Sequence, residues 1–100
     1  MSIIHSFLEV MPLLKDILQE DIGVAVTDTT TFLAYRPGDT IDLNTKIGSK
    51  LSIEEPLHKT IKSGKGYITI TPKEIYGIPF KAITYPIKNE NGIVIGAIGL

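Results

Sequence analysis

The stretch GYITITPKEIYGIPFKAITYPIKNENGIVIGAIGL, residues 66–100, decides the fold. Its apolar and polar residues alternate with a period near two, the pattern of half-buried strands rather than of helices. Pro and Gly divide it into three runs, Gly66 to Pro72, Ile78 to Lys88 and Ile93 to Leu100, with turns at Lys73 to Gly77 and Asn89 to Gly92. Connections this short do not carry a parallel crossover, so the three runs are read as an antiparallel meander.

Upstream, Gly23 to Asp28 and Thr31 to Arg36 show the same period around a turn at Thr29 and Thr30, which makes a hairpin that Pro37, Gly38 and Asp39 terminate. Thr40 to Leu51 has little period and reads as a loop. Ser52 with Glu55 three residues later matches a capping box, Pro56 suits a first turn, Leu57 and Ile61 share a face and Gly64 suits a C-terminus. A short helix is therefore expected over Glu54 to Ser63.

At the start of the chain, Ile4, Phe7, Met11, Leu14 and Leu18 recur at intervals of three and four. That spacing predicts an amphipathic helix from Ile3 to Gln19, with Ser2 as its cap. A second set, Ile3, Val10, Leu13 and Ile17, makes the apolar surface wider than one packing face requires. Pro12 removes a backbone donor and predicts a kink or a break. The order gives an α+β fold: a five-stranded antiparallel sheet with the N-terminal helix on one face and the short helix, between strands 2 and 3, near the other.

Bulk properties narrow the function. One hundred residues suit a single domain. The net charge of −1, with scattered lysines, speaks against a nucleic-acid partner, which needs a basic face. Cysteine is absent, which removes disulfides and thiolate chemistry. The first helix is interrupted by His5, Glu9, Lys15 and Asp16, so neither a signal peptide nor a membrane span fits, and a cytoplasmic location is expected. The last apolar strand stops at Leu100 without a polar tail, so the chain is expected to be one domain cut from a longer protein.

Catalytic patterns are missing. His5 and His58 lack metal-ligand spacing, the serines lack a nucleophile elbow, and Glu54, Glu55 and Glu90 read as helix-start and turn residues. Gly64-Lys65-Gly66 follows a helix and precedes a strand, the reverse of a phosphate loop. No enzyme, metal or cofactor is expected. Gly96, Ala97 and Gly99 read as room for a helix to approach the sheet, with room for a ligand as the alternative.

Polar side chains inside strands offer a binding site. Lys81 and Tyr85 fall on one face of their strand, and Tyr35 lies in the hairpin where it could join them. Lysine among apolar neighbours suits a carboxylate or phosphate, so Tyr35, Lys81 and Tyr85 are candidate contacts to a small anionic or amphipathic metabolite held between the sheet and the Thr40 to Ser63 connection. The same side chains would equally line an open, wet sheet face.

Four phrases form a recognisable set: GVAVTD (23–28), FLAYRPG (32–38), YGIPFKAI (76–83) and PIKNENGIVIGAIG (86–99). Together they resemble the N-terminal sensory region of soluble methyl-accepting chemotaxis-type proteins and related PAS/Cache-like sensors. The resemblance implies a non-enzymatic signal-input domain of a bacterial signal-transduction or chemotaxis protein, whose conformational change passes through a following helix to an attached output domain. It does not name a ligand, since the amino-acid signature of extracellular Cache sensors, a flavin-attaching cysteine and a haem-ligand histidine are all missing. A homodimer through Ile3, Phe7, Val10 and Leu14 is expected from the doubled apolar surface of the first helix. A ligandless dimerisation module of the same fold is the alternative.

Overall fold

The computed structural model of the chain describes residues 3–39, 45–71 and 80–100. The expected Ser2 cap and the turn at Lys73 to Gly77 lie outside them. Helix α1 (Ile3–Leu18) leads through Gly23 into the hairpin β1 (Val24–Thr27) and β2 (Phe32–Arg36). Helix α2 (Pro56–Ser63) precedes β3 (Tyr67–Thr71), β4 (Phe80–Lys88) and β5 (Val94–Gly99). The five strands form one antiparallel sheet in the order β2-β1-β5-β4-β3. The α+β architecture read from the sequence is the architecture found.

Register assigns the two faces. Ala25 lies opposite Tyr35 and Gly99, Gly99 lies opposite Thr84, and Thr84 lies opposite Tyr67, so these side chains share one face. That face carries α2, through Leu57 packed with Phe32 and Ala97, and through a buried hydrogen bond of 2.6 Å between the Thr60 and Thr84 hydroxyls. On the opposite face, Val24, Val26 and Ile87 are buried beneath Ile4, Phe7, Leu8, Met11 and Leu14 of α1. Each large apolar side chain buried this way contributes roughly 1.5–3 kcal/mol. Toward β3 and β4 the α1 face stays open, with Ile68, Ile70, Ile83 and Tyr85 exposed.

The two apolar sets of α1 are now separable. Ile4, Phe7, Met11 and Leu14 face the sheet, whereas Ile3, Val10, Leu13 and Ile17 are exposed. Phe7 and Leu14, expected at a dimer interface, thus pack on their own sheet; Ile3 and Val10 keep an outward position. Of the kink or break expected at Pro12, the break does not occur: apolar anchors on both sides of it hold one continuous helix against the sheet. Arg36 donates to the Pro12 carbonyl and lies 3.4 Å from Asp16, and Lys15 pairs with Asp39, which ties the second half of α1 to the end of the hairpin.

Turn chemistry fixes the hairpins. Asp28 accepts hydrogen bonds from the amides of Thr30 and Thr31, each at 2.8 Å. Asn89 does the same for Asn91 and Ile93, with Gly92 at φ 77° completing that turn. Gly64 ends α2 in the left-handed region, where its amide reaches the Thr60 carbonyl. The start of α2 departs from expectation. Ser52 does not cap it; Glu55 does, in an extended conformation and without a side-chain capping hydrogen bond. A residue before proline is pushed out of the helical region, so with Pro56 in place Glu55 cannot be the third residue of a helix beginning at Ser52.

Candidate functional site

That displacement of Glu55 builds the site. Freed from a capping box, its side chain is only 8% exposed and lines a cavity of about 610 Å³ at one end of the sheet. The volume lies within the range of small-molecule sites. The walls come from every layer. Leu57 and Glu55 stand at the start of α2, Ala25, Phe32 and Tyr35 on the hairpin, and Lys81, Ala82, Ile83 and Thr84 on β4, with Gly99 and Leu100 at the end of β5. Leu18 and the segment Glu20 to Gly23, which connects α1 to β1, close one side, and Thr45 contributes from the connection after β2.

Two of the three expected contacts meet here. Tyr35 and Lys81 both line the cavity although register puts them on opposite faces of the sheet. Tyr85 is not brought to it. It stands in register with Ile98 on the open part of the α1 face, 66% exposed. The Thr40 to Ser63 connection contributes through Thr45, Glu55 and Leu57; residues 40–44 lie outside the described residues.

Among the described residues, the carboxyl groups of Glu20, Asp21 and Glu55 and the ammonium group of Lys81 line the cavity. Asp21 accepts the Asp39 amide and so also braces the chain after the hairpin. Glu20, Asp21 and Lys81 are exposed, where water screens them, whereas burial pushes the Glu55 carboxyl up to about 7, with the nearby Leu57 amide offsetting part of the effect. Glu55 was overlooked in the sequence because the Ser52 to Glu55 spacing suggested a cap. The signal that corrects it is Pro56.

The reading of the glycines is settled in part. A Cβ on Gly99 would meet Leu57 Cδ2 at 3.2 Å, so α2 occupies that space, while Gly99 itself also forms cavity wall. Among the described residues no group of three metal-ligating side chains assembles, and no helix is long and apolar enough to cross a membrane.

The chain is 36% identical over 99 residues to a protein of Bacillus subtilis (strain 168) named "Putative sensory transducer protein YfmS". The matched segment is 99% of this chain and 35% of that protein, so the chain spans about a third of its relative's length. No family model and no solved structure matches.

Proposed function

We propose that this chain is the signal-input domain of a cytoplasmic bacterial sensory transducer, a binding domain rather than an enzyme, of the PAS/Cache-like kind that serves chemotaxis-type receptors. The similarity to a sensory transducer over 99% of the chain carries this reading. The cavity supports its ligand-binding part, as a formed pocket with mainly apolar walls and a few convergent polar groups. An amphipathic small molecule fits such walls. The relative's greater length supports an output domain attached in the parent chain.

The exposed stripe of α1 supports a homodimer. Ile3, Val10 and Ile17 are spaced by seven and Leu13 falls three after Val10, which is the spacing of a coiled-coil seam with β-branched residues at one position and Leu at the other. The same stripe favours the second reading, a dimerisation module whose cavity stays empty.

A titration of the isotopically labelled chain with neutral 2-phenylethanol, followed by amide chemical shifts, separates the two. The sensor reading expects saturable shifts concentrated at Leu57, Ala82 to Thr84 and Gly99. Shifts scattered over the exposed apolar residues, or none, together with a stable dimer, point to the ligandless module.

A further inference from the structure

We propose that the cavity is built for an organic cation, an apolar molecule ending in a protonated amine whose nitrogen is held by the Glu55 carboxylate. This rests on the cavity being a ligand site and specifies its ligand class. Glu55 is more than nine-tenths buried, lines the cavity and, among the described residues, has only the nearby Leu57 amide as a polar partner for its carboxyl group and no ion pair. The cavity walls it shares are mainly apolar, among them Ala25, Phe32, Leu57 and Ile83. A carboxyl group left in such surroundings is costly to ionise, and an ammonium group arriving beside it removes that cost by a charge-assisted hydrogen bond.

The charges around it lie at exposed positions. Among the described residues, the other ionisable side chains lining the cavity are Glu20 and Asp21 from the α1–β1 connection, Tyr35 from β2 and Lys81 from β4; β1 and β5 contribute none, and His58 lies one turn along α2 with its amide on the Glu55 carbonyl. Glu20, Asp21 and Lys81 are exposed and screened by water, so the buried Glu55 carboxylate is the charge that a ligand inside the cavity meets, and it favours a cation. The apolar walls then select an alkyl or aryl amine over a small inorganic cation.

Glu55 must give up its proton to make the pair. Burial holds its pKa near 7, so amine binding at pH 6 is accompanied by proton release and affinity rises between pH 6 and 8. The test uses three probes of one shape and different charge on the 100-residue chain: 2-phenylethylammonium, neutral 2-phenylethanol and 3-phenylpropionate. Calorimetry in buffers of differing ionisation enthalpy at pH 6, 7 and 8 reads affinity and proton release together. The ammonium is expected to bind at least tenfold more tightly than the carboxylate, with Glu55→Gln removing that preference and leaving the alcohol unchanged. Tighter binding of 3-phenylpropionate, abolished by Lys81→Ala, would overturn the proposal while keeping the ligand cavity. Equal binding of all three probes with no effect of Glu55→Gln would reduce Glu55 to a structural acid and overturn it as well. If none of the three binds, the alcohol included, the cavity reading fails together with it.

Discussion

Asp28 and Glu55 are both penalised for ionising by burial, and their neighbours send them opposite ways. Around Asp28 the amides of Thr30 and Thr31, then the Thr31 and Thr30 hydroxyls, outweigh burial and hold the carboxyl below its ordinary 3.8. Its stabilisation is present above that value and is lost as the pH falls through the lowered one. Glu55 has only the Leu57 amide against burial, so its pKa rises from 4.5 to about 7. Well below pH 4.5 both folded and unfolded chains carry the proton. As the pH rises toward 7 the unfolded chain loses it first, and folding weakens by roughly 3 kcal/mol at the upper limit. Chemical denaturation between pH 4.5 and 7.5 should therefore show declining stability that Glu55→Gln flattens; an unchanged slope in the variant would assign the decline to another group. A third polar group is simpler. Thr27 is fully buried and its Oγ1 has no hydrogen-bond partner among the described residues, so Thr27→Val removes an unsatisfied hydroxyl at constant shape. A gain of about 1 kcal/mol is expected, read as a melting point higher by roughly 4–8 °C. A lower melting point would mean that the hydroxyl is satisfied after all.

At the scale of elements, β5 shows why two glycines in one strand need not be equivalent. A Cβ on Gly96 would collide with the Thr27 carbonyl oxygen of the neighbouring strand and come within 3.1 Å of Ile4 Cδ1, and a backbone carbonyl in a ladder cannot step aside. A Cβ on Gly99 meets the Leu57 side chain at 3.2 Å, a contact that a shift of a few tenths of an ångström relieves. Gly96→Ala should thus cost at least the upper end of the usual 1–3 kcal/mol for overpacking, about 3 kcal/mol, and Gly99→Ala well under half of that, compared by urea denaturation. Equal losses would show that Leu57 is as immovable as the β1 backbone. The sequence made the strands themselves legible, since period-two alternation and turn residues such as Asn89 and Gly92 are local signals. Pro12 left a kink and a break both open because its penalty is local, while the anchors that keep the helix continuous, Phe7, Leu8, Met11 and Leu14 on the sheet, are tertiary. Ser52 misled for the opposite reason. There the deciding signal, the conformational limit on a residue before Pro56, was local and present, and the spacing rule for caps concealed it.

At the scale of the molecule, the cavity was the least legible feature, because Glu20 to Gly23, Tyr35, Glu55 and Lys81 are brought together only by the register of a whole sheet. The same assembly suggests how binding reaches the surface. Helix α1 ends at Leu18 in the cavity wall, rests on the sheet through Phe7, Met11 and Leu14, and exposes Val10, Leu13 and Ile17 on another side. One rigid element therefore joins the ligand site to the proposed dimer seam. If a ligand favours one placement of α1, it must alter dimer affinity by some factor, and dimerisation must alter ligand affinity by the same factor, since coupling between equilibria is reciprocal. Couplings of this kind are typically about 5–150-fold. Leu13→Asp, at an exposed position outside the core, should yield a folded monomer. Sedimentation equilibrium with and without saturating 2-phenylethylammonium gives the first factor, and calorimetry on the unsubstituted dimer against the Leu13→Asp monomer gives the second. Agreement within error is the expected result. A Leu13→Asp protein that still dimerises removes the α1 seam, and a ligand that binds without moving the dimer constant means that the conformational change leaves by another route, of which Leu100 at the cavity wall is the nearest.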